Sequence, residues 1–283
     1  MKVAVTSASG QLGSSVVKAL IEEIGAEQVI GVARTPERAS HLKVEVRQGD
    51  YNSYDQFNSA LKGSDVVVIL SGNDDPGKRI TQHRNIIRAA KDNGLQKIVY
   101  TSILGDETRT TFSSVIGSNR QTEQDIKNSG LSWVIGRNGI YLEPDIESLA
   151  DYKKEGRIIN SAGQGKCGYT SRSELAFAYA KLATDQSLKN QVFNLTGPAI
   201  SQEELAKLLN EIFGTAITYE EMSVDDYLAD RKNALGEFLG PIISGIYEGI
   251  RDGAFDVSSD FEKATGRSHK KPVDLIREIR EKR

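Results

Sequence analysis

Cysteine is almost missing from this 283-residue chain: Cys167 is the only one, so no internal disulfide can form, which fits a reducing compartment. Histidine is scarce as well. His41, His83 and His269 lack the spacing of a zinc site, and we expect no metal. No apolar run approaches the roughly 20 residues of a membrane span. Met1 leads straight into a predicted strand, without the charged-then-apolar pattern of a signal segment. We therefore expect a cytoplasmic protein.

An excess of positive charge is also missing. The chain has 36 lysines and arginines against 39 aspartates and glutamates, a net charge of −3. Nucleic acids and anionic membranes usually select a basic excess, so neither is expected as a partner. The composition, 38% hydrophobic and 27% charged, is typical of a soluble globular protein. The length suits one large α/β domain or a core with a small lobe.

What the first half does contain is an alternation of strand and helix patterns. Short β-branched runs predict strands, and one of them (64–70) is apolar on both faces, as a central parallel strand should be. Repeated strand–helix–strand units with short links predict a Rossmann-type, doubly wound parallel α/β sheet. The predicted strands are 2–6, 28–33, 44–50, 64–70, 97–102 and 131–137, and the predicted helices are 11–25, 80–94 and 119–130.

The pattern loosens after Tyr141. We predict helices at 143–156, 171–185 and 201–214 and a strand at 191–197, with Ser171 or Ser173 capping the second helix and a Ser201–Glu204 capping box opening the third. Residues 1–142 are predicted to form the dinucleotide-binding core. Residues 143–283 are predicted to form a smaller, mostly helical lobe over the substrate, with 171–197 returning to the core.

The stretch "VTSASGQLGSS" (5–15) nearly spells a dinucleotide turn between a strand and a helix. Gly10 would let the backbone approach the phosphates, and Gly13 would let the helix pack near the strand. Ser7 stands where the first glycine is usual, so we expect either an ordinary φ there or some strain. Should φ be positive, Ser7→Gly should improve cofactor affinity. The alternative is a strand–helix turn without a ligand.

Arg34 follows the second strand, about 20 residues past the turn, where NAD-preferring folds place an acidic residue. A guanidinium suits the 2′-phosphate of NADPH rather than NADH, although an exposed loop arginine is the alternative. Asp50 and Tyr51 could flank the adenine, while Asp50 could equally be a turn residue. Small Ser71 and Gly72 would let the cofactor lie close to the fourth strand.

Several blocks together resemble one family. "VTSASGQLG", "VARTPERA", "GDYN", "QHRNIIRAAKDNGLQKIVYTS" and "RNGIY" are similar to the NmrA-like branch of atypical short-chain dehydrogenase/reductases, and within it to the group of NAD(P)H:quinone oxidoreductase type 2 and triphenylmethane reductase. The resemblance implies an NADPH-binding core with a pocket under a small lobe. It places the cofactor turn at Ser7 to Leu12, and Arg137 to Leu142 near the nicotinamide. This chain departs from the family at Ser7, and at Asn119, where several relatives have histidine.

The candidate cofactor-binding residues number thirteen, and we assign no catalytic residue. Candidates for the substrate pocket are Ser102, Asn138 and Tyr141; backbone bonding by Ser102 and core packing of Tyr141 are the alternatives. The cofactor candidates are Thr6, Ser7, Ser9, Gly10, Gln11, Leu12, Arg34, Asp50, Tyr51, Ser71, Gly72, Arg137 and Asn138.

Ordinary short-chain dehydrogenases protonate a new alkoxide with a tyrosine whose pKa is lowered by a lysine four residues on. Between Tyr100 and Tyr141 there is no tyrosine, so that route is not expected. Hydride transfer to a quinone needs less, because the product anion is weakly basic and water can protonate it. We expect an NADPH-dependent oxidoreductase acting on an aromatic or quinone substrate.

The alternative is a non-catalytic NADP(H)-binding redox sensor; a sugar-nucleotide epimerase fares badly because it needs the missing tyrosine. The oligomeric state is open, a homodimer included. Outside these motifs, His83 is expected to pack or cap a helix rather than act in catalysis. The basic stretch around it is expected to be a solvated helix face, from which Lys78 or Arg79 could reach cofactor phosphates. That stretch comprises Lys78, Arg79, Arg84 and Arg88.

Overall fold

A seven-stranded parallel sheet forms the centre of the computed structural model, which describes residues 1–282. Its strand order is β10-β6-β5-β4-β1-β2-β3, and every neighbouring pair is parallel. The predicted Rossmann-type sheet is thereby confirmed. The strands are β1 Val3–Val5, β2 Val29–Ala33, β3 Glu45–Gln48, β4 Val66–Leu70, β5 Lys97–Ile103, β6 Ser132–Asn138, β7 Ile140–Tyr141, β8 Arg157–Asn160, β9 Lys166–Thr170, β10 Gln191–Leu195, β11 Ala199–Ser201 and β12 Thr218–Glu221.

Helices cover both faces of this sheet, as the doubly wound pattern requires. Two short 3-10 helices, Ala26–Gln28 and Pro36–Leu42, flank β2. Among the described residues no helix combines the length and apolar character needed to cross a bilayer. The helices are α1 Gln11–Ile24, α2 Tyr54–Ala60, α3 Pro76–Asp92, α4 Ser113–Lys127, α5 Glu143–Glu147, α6 Leu149–Glu155, α7 Arg172–Thr184, α8 Gln202–Phe213, α9 Val224–Arg251, α10 Phe261–Thr265 and α11 Pro272–Glu281.

The two faces of the sheet have separate apolar cores. On one face α1 packs against α7, and on the other α3 packs between α2 and α4. All five residues of β4 are buried, which matches its apolar sequence on both faces. Strand order reverses between β1 and β4, and ligands of such sheets bind at the carboxyl ends of the strands beside that reversal. A ligand site is therefore expected at this edge.

A third core lies in the later part of the chain. It combines a three-stranded sheet (β11-β9-β7), the parallel pair β12-β8, and apolar faces of α5, α8, α9 and α11. Helix α9 is interrupted at Gly236, where φ is +80°. Residues 172–195 belong instead to the main sheet: α7 covers one face, and β10 pairs with β6.

The observed elements differ from the predicted ones at helix starts and by elements that were not predicted, namely α2 and the short strands β7, β8, β9, β11 and β12. Helix α3 begins at Pro76, four residues early, because Asp75 caps it by accepting from the Gly77 N–H at 3.0 Å. Helix α4 begins at Ser113, six residues early. The helix predicted at 143–156 is two helices that meet at Ser148. Both expected caps of the later helices, Ser171 and the Ser201–Glu204 box, are present.

Candidate functional site

The turn between β1 and α1 leaves no space for a side chain at residue 13 and little at residue 10. A Cβ at Gly13 would stand 2.1 Å from the Ser7 carbonyl oxygen, and one at Gly10 would stand 3.2 Å from it. No side chain caps α1 at Gly10, and the first turn of the helix carries no acidic residue. The amide groups at this helix start therefore face outward, where an anion can accept from them. Ser9, Gly10 and Gln11 are exposed beside this edge, while Leu12 packs against the core.

Ser7 has a φ of +49°, in the left-handed region, so the strained alternative expected from the sequence is the one observed. Its hydroxyl donates to the Tyr51 hydroxyl at 3.0 Å. Its carbonyl accepts from the Gly10 N–H at 2.9 Å. A side chain in this conformation costs about 1–2 kcal/mol, which these bonds help to offset.

The Tyr51 hydroxyl connects the turn to β4 through hydrogen bonds. It donates to the Leu70 carbonyl at 2.7 Å. Thr6 Oγ1 accepts from the Leu70 N–H at 2.9 Å and so has its proton free for Tyr51, 2.5 Å away. Burial raises the pKa of Tyr51 to about 12, so it stays a neutral phenol. Tyr51 and Thr6 thus tie β1, β4 and the turn together, a structural role that the sequence did not reveal.

Arg34 and Asp50, two further cofactor candidates, differ in whether their side chains already have partners in the protein. Arg34 is exposed at the end of β2 and has no ion pair among residues 1–282. Asp50 Oδ1 accepts from both the backbone and the side-chain amide of Asn52, each at 2.9 Å. This is the turn role that the sequence left open for Asp50. Arg34 is therefore a cation without an ion pair in the described part of the chain, beside the place where a 2′-phosphate would lie in this fold.

Ser71 and Gly72 follow β4 and meet a buried polar network. The Gly72 N–H donates to His83 Nε2 at 3.0 Å, and the other ring nitrogen lies 2.9 Å from Thr122 Oγ1. Since Thr122 donates its own proton to the Ser118 carbonyl, His83 Nδ1 carries the hydrogen and the ring is neutral. Burial lowers the pKa of His83 to about 3. The histidine positions the loop after β4, in line with the expected packing role.

Asn119 and Arg79 also belong to this network. Asn119 Oδ1 accepts from the Tyr100 hydroxyl at 2.6 Å and from the Ser71 hydroxyl at 3.0 Å, so it bridges β4, β5 and α4. Arg79 is buried and donates to the carbonyls of Gly72 and Val115. The prediction of a solvated face is wrong for Arg79, because its guanidinium is needed to join α3 to α4.

Ser102 and Arg137 meet at one buried carboxylate. Glu123 accepts from the Ser102 hydroxyl at 2.7 Å, from Arg137 at 2.7 and 2.9 Å, and from Arg120 at 2.8 Å. Burial opposes this charge, but Arg137, Ser102 and Arg120 outweigh it and hold the pKa of Glu123 below its usual value. Ser102 is fully buried and uses its proton here, not on a ligand. The guanidinium of Arg137 is likewise engaged on the α4 face of the sheet.

Asn138 and Tyr141 are brought together, as predicted for pocket residues. Asn138 Nδ2 donates to the Tyr141 hydroxyl at 3.2 Å, and Asn138 Oδ1 accepts from the Tyr179 hydroxyl at 2.6 Å. Burial raises the pKa of Tyr141 to about 12, which keeps its phenol neutral. Both residues stand at the carboxyl end of β6 and line a large cavity.

This cavity has a volume of about 700 Å³ and is lined by the ends of β5 and β6 on one side and by α5, α6, β8 and α9 on the other. Its wall is mostly aliphatic and aromatic. Two arginines are present, and each is engaged: Arg157 pairs with Glu220 at 2.6 Å, and Arg231 pairs with Asp230. Such a space accepts a flat apolar molecule. The aromatic lining residues are Phe112, Tyr141, Tyr152, Tyr227, Tyr247 and Phe255.

Sequence reasoning missed one acid in this cavity. Asp145 is only 4% exposed, and its Oδ1 accepts from the Tyr152 hydroxyl at 3.0 Å. Burial raises the pKa of Asp145 to about 6. No local signal distinguishes Asp145 from the other acidic residues of "EPDIESLADYKKE", because its burial depends on α9, which comes some 80 residues later.

Comparison with known proteins places the chain in a family. Residues 7–186 match the NAD(P)H-binding family model. The chain is 32% identical over 270 residues to quinone oxidoreductase 2 of Escherichia coli, with 93% of each chain covered. A crystal structure of an NADPH-dependent quinone oxidoreductase of E. coli with NADPH matches with a TM-score of 0.90 at 29% identity. Triphenylmethane reductase of Citrobacter sp. with NADP(H) matches with a TM-score of 0.90 at 30% identity. Each of these two matches covers 98% of this chain and 99% of the other. The chain therefore belongs to the NAD(P)H-binding, NmrA-like family.

Proposed function

We propose that this protein is an NADPH-dependent oxidoreductase that reduces a quinone or a similar conjugated acceptor. The observation that carries the proposal is the apolar cavity of about 700 Å³ at the carboxyl end of β6. It lies on the same edge of the sheet as the glycine turn, so a dinucleotide spanning that edge would reach its floor. When bound, NADPH supplies the hydride.

The residues at the turn fit a dinucleotide. The outward amide groups of α1 suit a pyrophosphate, and the space above Gly10 and Gly13 suits its close approach. Arg34 would hold the 2′-phosphate through charge and forked hydrogen bonds, which favours NADPH over NADH. We keep the other turn and loop candidates as proposed cofactor contacts, and assign Thr6 and Tyr51 to holding the turn in shape.

The cavity residues would bind and orient the acceptor. Asn138 and Tyr141 form a fixed pair at the floor, with the Tyr141 phenol neutral, and the aromatic wall would stack against a flat ring. We propose that residues 1–142 hold the cofactor, that 143–283 cover the substrate, and that 171–197 serve the core. A sheet edge and a lobe together would exclude water from the reacting ring.

Turnover by the purified protein tests this proposal. NADPH oxidation is followed at the nicotinamide absorbance with 1,4-benzoquinone and with a triphenylmethane dye, and again with NADH. We expect turnover above the uncatalysed rate with at least one acceptor, and a higher kcat/KM with NADPH than with NADH. Tight NADPH binding without turnover on any acceptor would instead identify an NADP(H)-binding sensor.

A further inference from the structure

One buried carboxyl group in the cavity has no counter-charge among the described residues. Asp145 lies on α5, is only 4% exposed, and lines the same cavity as Asn138 and Tyr141. The groups facing it from other elements are all neutral acids: Tyr152 on α6, Tyr169 and Cys167 on β9, and Tyr227 and Tyr247 on α9.

No cation within the described residues offsets the Asp145 carboxylate. It takes part in no ion pair, and the two arginines of the cavity wall are occupied by Glu220 and Asp230. A buried carboxyl without a cation favours its protonated form, which can donate a proton. The pKa of Asp145, raised by burial to about 6, agrees with this geometry. Asp145 is thus suited to be an acid inside a mostly apolar cavity.

Tyr152 fixes the orientation of this acid. Its hydroxyl donates to Asp145 Oδ1 at 3.0 Å, and burial together with the neighbouring Asp145 raises the pKa of Tyr152, so the phenol keeps its proton. The bond joins α5 to α6 across their junction at Ser148. Tyr152 thus holds one oxygen of the carboxyl, and a side-chain hydrogen bond with Tyr169 likewise lowers the pKa of Asp145 against the effect of burial.

We propose that Asp145 is the catalytic acid that protonates the reduced acceptor, with Tyr152 as its positioning residue. The inference rests on the proposed function. In ordinary short-chain dehydrogenases a tyrosine–lysine pair supplies this proton, but this chain has no tyrosine between Tyr100 and Tyr141. The inference assigns the proton to Asp145 instead.

The acceptor would gain a hydride, that is two electrons and one proton, from the dihydronicotinamide, which would be oxidised, and the acceptor would become a hydroquinone anion. The O–H bond of Asp145 breaks, and a new O–H bond forms on the anionic oxygen. Asp145 is left as a carboxylate and regains a proton from water after the product leaves. No further oxidant or reductant is needed.

The pH dependence of kcat tests the assignment with Asp145→Asn, which keeps the size of the side chain but cannot donate an acidic proton. Wild-type kcat should fall as pH rises through the pKa of Asp145, because the acid form is lost. Asp145→Asn should remove that fall. Asp151→Asn, which removes an exposed carboxylate at the cavity rim, should retain it. Turnover with the same pH dependence in Asp145→Asn would overturn the assignment.

Two acceptors separate proton donation from a structural effect. Methyl groups make a hydroquinone anion more basic, so tetramethyl-1,4-benzoquinone needs the acid more than 1,4-benzoquinone does. Asp145→Asn should lower kcat by about tenfold for the first quinone below pH 6 and by less for the second, since positioned acids contribute about 10²-fold or more when proton transfer is difficult. Equal losses for both quinones would overturn the assignment and leave the proposed function standing.

Tyr152→Phe provides a second variant should Asp145→Asn fold poorly. The Tyr152 hydroxyl bond lowers the pKa of Asp145, so its removal should move the fall in kcat to higher pH. An unmoved pH profile in Tyr152→Phe would contradict the positioning role. Wild-type protein without turnover on any acceptor would overturn both the proposed function and this inference.

Discussion

Gly13 faces the carbonyl oxygen of Ser7 so closely that a methyl group at residue 13 would stand 2.1 Å from that oxygen. The first turn of α1 therefore lies directly against the end of β1. This contact explains why the chain needs glycine at residue 13.

Gly13→Ala should disrupt both folding and cofactor binding. The added methyl group must push α1 away from the turn, which should cost about 1–3 kcal/mol of unfolding free energy and weaken NADPH binding by about tenfold or more, since the phosphate site is built on this contact. Urea unfolding and fluorescence titration with NADPH measure the two effects. Gly117→Ala is the matched control: nothing lies within 4 Å of a Cβ there, so stability should be unchanged or raised by up to about 1 kcal/mol. Similar losses in both variants would contradict the account.

Ser7→Gly and Ser7→Ala separate backbone strain from hydrogen bonding. Both variants lose the bond to Tyr51, but only glycine accepts a φ of +49° without strain. We expect Ser7→Ala to be less stable than Ser7→Gly by about 1 kcal/mol. Ser7→Gly should also tighten NADPH binding by up to about fivefold, the equivalent of 1 kcal/mol. Isothermal titration decides the second point; weaker binding by Ser7→Gly would show that the serine hydroxyl matters more than the strain.

Arg34→Asp should discriminate between the two cofactors. Loss of a charge-assisted contact to the 2′-phosphate should weaken NADPH binding by about 10- to 100-fold, while NADH, which lacks that phosphate, should be little affected. Lys189→Asp makes the same change of charge at an exposed residue before β10, at the opposite edge of the sheet. It should leave the binding of both cofactors unchanged. Equal losses for NADPH and NADH in Arg34→Asp would exclude the 2′-phosphate role.

His83 should make stability fall in acid. In the folded protein its pKa is about 3, whereas an unfolded chain protonates histidine near pH 6.5. Between these values the unfolded state binds more protons, so stability is complete above about pH 6.5 and is lost as pH falls, by about 1.4 kcal/mol per pH unit. Urea unfolding measured from pH 7 to pH 5 should show that the unfolding free energy falls less steeply with pH in His83→Gln than in wild type. The exposed His41→Gln variant serves as control, and an unchanged slope in His83→Gln would contradict a buried neutral ring.

Much of the sheet could be predicted from the sequence because its strands are short apolar runs whose burial is decided locally. The buried strand β4 is an example. The Ser201–Glu204 capping box, which opens helix α8, is likewise a local signal. Helix starts were harder: Asp75 and Pro76 open α3 before the apolar periodicity begins, so the periodicity alone placed the start too late.

The site was predictable only in part, for a similar reason. Asn138 and Tyr141 adjoin a recognisable strand end, and the structure brings them together at the cavity. The burial of Asp145 and the pairing of Arg137 with Glu123 depend on segments distant in sequence. Spacing along the chain carries no record of such contacts.

The central claim is that an acceptor is reduced by NADPH within this cavity. The most direct test is the rate of NADPH oxidation with 1,4-benzoquinone, compared between wild type and Met222→Trp, which puts a larger side chain in the cavity wall. We expect turnover by wild type and a loss of at least about tenfold in kcat/KM for Met222→Trp, with NADPH affinity unchanged. Undiminished turnover in Met222→Trp, or no turnover in wild type despite tight NADPH binding, would contradict it.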